Sequence, residues 1–254
     1  MKSTYNIFII TLVAALLGGC CSDLPLIHLP FGTGQFRLSV LTTQVSTEDI
    51  TRSGSLNTGD FKVTLSDANG VKLISGRELK TISDEDRILP EAKDYLIEAS
   101  SCSPEEALIT NEGWGNVRFF GAHKFEIKAQ ETTAFTLVCS MDNAGLMVTF
   151  DQSFIDKFPY HAATTADTRS LVFSSDTHNK VAYYNLNNDR DVTLKLTGSG
   201  GGWSDRLDKD VPVTLAKGQI TCLNIKYGNS TTGITVTITT DPTFRQEKHE
   251  VTIE

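Results

Sequence analysis

From Gln35 onward, apolar residues recur at every second position. Phe36, Leu38 and Val40 are separated by Arg37 and Ser39, and Phe61, Val63 and Leu65 by Lys62 and Thr64. In an extended chain successive side chains point to opposite faces, so each segment has one dry face and one wet face; a helix would need a period of 3.6. The second run ends in Asp67-Ala68-Asn69-Gly70, whose Asn-Gly pair suits positive φ and predicts a hairpin to Val71-Lys72-Leu73. Further strands are expected at 95–99, 125–128 and 134–139. Between the first two of these, Ser103 caps a helical turn that begins at Pro104, and Trp114 lies in a loop between Gly113 and Gly115. The acidic run Ser83-Asp84-Glu85-Asp86 lacks the glycine and distal glutamate of a calcium loop and reads as a solvated turn.

The second half has the same grain, with strands expected near 171–173, 181–184, 192–196, 211–215, 220–227, 234–239 and 249–253. Sliding the chain against itself by 88 residues places Phe125, Ile127, Phe135, Leu137, Leu146, Val148 and Phe150 on Val213, Leu215, Leu223, Ile225, Ile234, Val236 and Ile238 without a gap. Such internal similarity predicts a duplicated unit. The expectation is therefore an all-β chain of two tandem antiparallel β-sandwich domains with Greek-key connections, at residues 35–144 and 145–254.

Residues 1–19 have the form of a secretory signal: Lys2, then an apolar run from Ile7 to Leu17 broken by Thr11. The run is too short to span a bilayer. Leu17-Gly18-Gly19-Cys20 resembles a bacterial lipobox, which implies a mature chain that begins at an acylated Cys20. Several acyl chains on one residue hold a soluble body on a membrane stably. Cys21 is the alternative lipobox thiol, and Cys20 is preferred because Leu17 then sits three residues upstream. Residues 20–34, with Pro25, Pro30, Gly32 and Gly34, read as a tether. A net charge of −8 without clustered Lys and Arg argues against nucleic acid as a partner. Cys102, Cys139 and Cys222 remain in the folded part, allowing one disulfide at most; Cys139 falls in the inward phase of its strand and reads as a small buried hydrophobe.

The chain carries no H-E-x-x-H, G-x-S-x-G, phosphate-loop or C-x-x-C motif, and its five histidines are scattered. No catalytic residue, metal ligand or cofactor is assigned. Trp114, Tyr184 and Trp203 form a candidate glycan-stacking set. Their alternative role is to plug the ends of the sandwiches.

Gln35-Phe36-Arg37-Leu38-Ser39-Val40, Ile50-Thr51-Arg52, Asp60 to Leu65, Asp67 to Gly70, Phe125 to Thr133, Val138-Cys139 and Val148-Thr149-Phe150 together resemble a family. These are the lipoproteins of Gram-negative gut anaerobes grouped as domain of unknown function 4493, which sit close to the fimbrillin-type pilins. That resemblance implies transthyretin-like sandwiches in an outer-membrane lipoprotein with a structural or adhesive role. It also implies proteolytic processing after Arg52 and self-assembly or pilin partners joined by strand exchange, with the C-terminal stretch holding Val251 and Ile253 as donor. A glycan-binding surface lipoprotein beside a polysaccharide-uptake machine is the alternative. The first expectation to check is chemical: mass spectrometry of native material should find Cys20 as an acylated N-terminus, and a free amine there would overturn the anchor.

Overall fold

The structure is a computed structural model that describes residues 29–43, 56–177, 180–186, 190–200 and 206–227, together with the backbone of two C-terminal strands at 234–240 and 248–253. The first seven strands are β1 (Thr33–Thr42), β2 (Lys62–Ser66), β3 (Lys72–Glu78), β4 (Ile88–Pro90), β5 (Ala92–Ser100), β6 (Phe119–Ile127) and β7 (Thr132–Met141). They are followed by β8 (Ala144–Phe150), β9 (Tyr160–Thr165), β10 (Val172–Phe173), β11 (Val181–Tyr184), β12 (Arg190–Ser199), β13 (Arg206–Leu215) and β14 (Ile220–Tyr227). The chain closes with β15 (Ile234–Thr240) and β16 (Lys248–Ile253), and two short helices, α1 (Glu106–Ile109) and α2 (Gln152–Lys157), interrupt the strands.

The fold is all-β. One sheet has the order β3-β2-β5-β6-β7-β1-β4, and two further sheets have the orders β10-β9-β12-β13 and β11-β8-β14-β15-β16. The second pair of sheets repeats the neighbours of the first with every strand number raised by seven. β3-β2-β5-β6 matches β10-β9-β12-β13, and β4-β1-β7 matches β11-β8-β14. β15 and β16 are additions beyond the repeat.

Alternation in the sequence becomes burial in the structure. Val63, Leu65, Ile97, Phe125 and Ile127 join Phe36, Phe61, Phe119, Leu137 and Cys139 in one buried cluster, while Leu146, Val148, Leu194, Leu196, Val211, Val213, Leu215, Leu223 and Ile225 build another. Each large apolar side chain taken from water contributes roughly 1.5–3 kcal/mol, which is why sheets with one dry face must pack in pairs. The predicted hairpin joins β2 to β3: Gly70 has φ +79, and the Asp67 carboxylate accepts hydrogen bonds from the amides of Asn69 and Val71 at 2.9 and 2.8 Å.

Two pairings depart from the antiparallel expectation. β1 runs parallel to β7 over eight residue pairs, from Gln35↔Thr132 to Thr42↔Cys139, and β8 runs parallel to β14. Side-chain alternation is the same in both kinds of ladder, so the period carries no information about direction. The 88-residue offset correctly aligns β6 and β7 with β13 and β14. It then fails, because it sets β8 on β15. β8 pairs parallel to β14 and plays the part of β1, whereas β15 pairs antiparallel to β14.

Only Asp142 and Asn143 separate β7 from β8, and the side chain of Asn143 is fully buried at this step. Its Oδ1 accepts from the Arg118 amide at 3.1 Å, its Nδ2 donates to the Asn116 carbonyl at 2.8 Å, and its own carbonyl accepts from the Gly218 amide at 2.8 Å. Asp142 pairs with Arg118 and with Lys217, one from each side of the step. Asn143→Ala leaves two part-buried main-chain groups, the Arg118 amide and the Asn116 carbonyl, without these partners, each worth up to about 1–3 kcal/mol. Chemical denaturation should show a loss of that order, and a variant as stable as the parent would contradict this role.

Candidate assembly site

β1 is well buried at three of its ten positions beyond the glycine. Phe36 is fully buried, Val40 and Gln35 nearly so. The Phe36 ring lies 5.7 Å from that of Phe125 and 6.4 Å from that of Phe135, which in turn meets Phe125 at 4.7 Å and His123 at 5.0 Å. Aromatic pairs at these separations add about 0.5–1.5 kcal/mol each to the burial of their surface. On the outer face, the hydroxyls of Ser39 and Thr136 share a hydrogen bond of 2.9 Å across the β1–β7 seam.

The entry of β1 is fixed by main-chain bonds. The Gln35 amide donates to the Glu131 carbonyl at 2.9 Å, the Gln130 amide to the Thr33 carbonyl at 2.8 Å, and the Glu91 amide to the Gly32 carbonyl at 2.8 Å. Gly34 sits where a Cβ would lie 2.2 Å from the Lys128 carbonyl oxygen, so no other residue fits without moving the β6–β7 turn. The tether expected to reach residue 34 therefore ends earlier: Thr33 and Gly34 already belong to β1, because the close approach at Gly34 makes them part of the ladder. At the exit, the Thr43 amide donates to the Cys139 carbonyl at 3.0 Å, after which the chain enters residues 44–55.

Arg52 lies in that stretch, outside the described residues, as do Cys20 and Trp203. Val251 and Ile253 lie on β16, in register with Val236 and Ile234 of β15. Among the described residues there is no cluster of His, Cys, Asp and Glu able to hold a metal, and no helix is long and apolar enough to cross a membrane. None of Cys102, Cys139 and Cys222 is in a disulfide. Cys139 is fully buried, and burial pushes its thiol up to about 11.

Two of the aromatic residues proposed for glycan stacking, Trp114 and Tyr184, have no open ring face. Trp114 is 8% exposed and Tyr184 3%. Trp114 is carried by the loop after α1, whose start is a reciprocal cap: the Ser103 hydroxyl accepts from the Glu106 amide, and the Glu106 carboxylate accepts from the Ser103 amide. From there its ring packs edge-on against Phe173 at 4.9 Å, inside the cluster built by the second set of sheets. Its carbonyl accepts from the Tyr183 amide at 2.8 Å. Arg169 closes the same joint, donating to the carbonyls of Gly113 and Tyr183 at 3.2 and 2.8 Å while its guanidinium covers the Tyr184 ring at 4.1 Å. Burial pushes the Tyr184 hydroxyl up to about 12. Burial also works against ionisation of Asp167, but the Thr165 hydroxyl, the Arg169 guanidinium and the amides of Arg169 and Ser170 outweigh it and hold its carboxyl below the usual range. Trp114 and Tyr184 are buried because the joint needs large apolar rings to fill it.

What the sequence did not disclose is the β1–β7 ladder, and its signal was slight: the Gly32-Thr33-Gly34 spacing at the start of the first alternating run.

Residues 32–254 match the model of a family described as Domain of unknown function (DUF4493). No curated protein matches the sequence. A fimbrial assembly protein from Parabacteroides distasonis superposes with a TM-score of 0.50 at 12% identity, over 85% of this chain and 100% of that one. The fimbrial anchor protein Mfa2 from Porphyromonas gingivalis gives 0.40 at 12% identity, over 82% and 97% of the two chains. A structure from Bacteroides thetaiotaomicron described as a candidate polysaccharide-binding protein gives 0.47 at 10% identity, over 87% and 98%. At such identities the first of these shows a shared fold.

If Trp114 is an anchor of the joint, Trp114→Ala should cost about 3–5 kcal/mol of stability in urea titration. A variant of unchanged stability would return the ring to the surface.

Proposed function

Because this chain belongs to the family described as Domain of unknown function (DUF4493), we propose that it is a cell-envelope lipoprotein with a structural and adhesive role. In this reading acyl chains on Cys20 hold it to the outer membrane, residues 35–144 and 145–254 act as two units, and copies assemble by exchanging strands. The observation that carries the reading is the position of β1 between β7 and β4, at the end of a segment that one cut would free. Cleavage after Arg52 would leave β1 attached to the body only by its ladders and by the burial of Phe36 and Val40. Its departure would open a slot along β7, lined on the inside by the Phe125 and Phe135 rings. A strand from a neighbour would restore the ladder, main-chain bonds giving affinity and alternate side-chain pockets giving register. β1 runs parallel to β7, the slightly weaker arrangement per residue, so an antiparallel donor would lose nothing in the exchange. β16, with Val251 and Ile253 two residues apart, is the donor at the chain's end.

The fold shared with a fimbrial assembly protein supports this reading. Glycan binding is not favoured, since two of its three rings are buried in the joint.

An arginine-specific protease should cut the purified chain once, near Arg52, and produce a ladder of SDS-resistant oligomers. Arg52→Ala should abolish both the cut and the ladder. A chain nicked at many sites that stays monomeric would refute the exchange.

A further inference from the structure

We propose that the outer edge of β7 is a second acceptor, which pairs with β16 of another, uncleaved copy of this chain while β1 stays in place. The proposal rests on the assembly reading and adds to it a contact that needs no proteolysis.

The phase of the β7 main chain comes from its bonds to β1. Gln35 donates to Glu131 and Thr43 to Cys139, so the odd-numbered residues of β7 spend their main-chain groups on β1. Thr132, Ala134, Thr136 and Val138 turn theirs to the other side. Among the described residues that side is met toward its far end, where Phe119 and Phe120 of β6 pair with Met141 and Ser140 and Gly121 lies against the Val138 carbonyl, so the stretch without a neighbour runs from Thr132 to Thr136.

β14 shows what such an edge takes. Gly145 donates to Gln219 and Asp151 to Ile225, so its odd residues serve β8. Its even residues face β15, with Cys222, Asn224 and Lys226 in register with Thr239, Thr237 and Thr235. Stepping back by the 88-residue offset places these three on Ala134, Thr136 and Val138. The edge filled by an antiparallel strand on β14 is thus the one that, from Thr132 to Thr136, no described strand covers on β7. The strand that follows β7 in the chain is β8, and it is committed to β14.

The edge is also undefended. Sheet edges are normally blunted by charge, proline, bulges or brevity. β3 carries Lys72, Arg77 and Glu78 on a bulged ladder, β13 carries Pro212 among charges, β4 ends at Pro90 after three residues, and β10 and β11 have two and four residues. Residues 132–139 hold no charge and no proline, and Val138 is 55% exposed. The occupant is argued from the same topology. β16 ends its sheet, pairs on one side with β15, and finishes in the uncharged Val251-Thr252-Ile253. Its six residues are enough to cover 132–136. Donor and acceptor edges lie on different strands, so the contact is head-to-tail and propagates instead of closing as a twofold pair.

The test uses the full chain carrying Arg52→Ala, followed by sedimentation over a concentration series. Concentration-dependent oligomers are expected, and Thr136→Pro, which removes one outward amide, should weaken association about tenfold or more. Ala134→Lys serves as a second variant should proline disturb the strand, with thermal melts confirming that each is folded. A synthetic peptide of residues 246–254 should cap the oligomers. An intact chain that is monomeric throughout, or oligomers indifferent to both β7 variants and to the peptide, overturns the proposal. A ladder that forms only after cleavage and ignores the β7 variants removes this contact and leaves strand exchange standing. Association of the intact chain with no ladder after cleavage does the reverse.

Discussion

The parallel ladder between β1 and β7 is the constraint on which the rest of the architecture turns. A parallel pair cannot be closed by a tight turn, so its two strands must be separated by a long crossover. Here the crossover is everything from β2 to β6, and the same device recurs between β8 and β14. The first strand of each set is thus held by the last. Its contacts are among the most distant in sequence, and their loop-closure cost is recovered only when the intervening strands are in place. A consequence is that β1 contributes a buried phenylalanine and an eight-residue ladder to a body whose other strands are continuous without it. Burial and dispensability of the connection coincide in one strand, and that coincidence makes exchange chemically reasonable.

The two sets of sheets are locked together by side chains that cross between their cores. Trp114, from the loop after α1, enters the cluster of the second set, while Val181, Tyr183 and Ile220 enter the cluster of the first. Arg169 and Asn143 satisfy the main-chain groups that this crossing buries. Buried polar groups without partners cost about 1–3 kcal/mol each, so the bonds made by Arg169 and Asn143 stabilise the joint, which also holds the Tyr184 hydroxyl buried without a hydrogen-bond partner. The hydrophobic interlock and the polar network therefore depend on each other.

Much of this was legible in the residues. Period-2 alternation located the dry faces, the Asn69-Gly70 turn gave a hairpin, and Ser103 capped the turn before α1 because its spacing to Glu106 allows reciprocal bonding. Strand direction was not legible, since a parallel and an antiparallel ladder demand the same alternation. Nor was the destination of Trp114: glycines on either side mark a loop, but whether the ring meets solvent or a core is decided by a strand, β10, that lies far along the chain. The match of β8 to β15 misled for a related reason. Both are uncharged, alternating strands beside β14, and their opposite directions leave no trace in composition.

The two sets differ most where the repeat ends, and the difference has a physical pattern. Val211 and Leu223 are buried, whereas their counterparts at the same offset, His123 and Phe135, are exposed and half-buried. β14 is flanked by β8 and β15, so its inward residues are shielded along both edges; β7 has β1 on one side and, among the described residues, pairs with β6 on the other only near its end. Beside the part of β7 that no described strand covers, the interior is filled by rings, Phe36, Tyr95, His123, Phe125 and Phe135, whose contacts tolerate partial exposure better than a branched aliphatic core. A body designed only to be stable would have closed both edges alike. One set carries two strands beyond the repeat and the other has an uncharged edge at the equivalent place, which is the arrangement expected when surplus on one copy answers a deficit on the next.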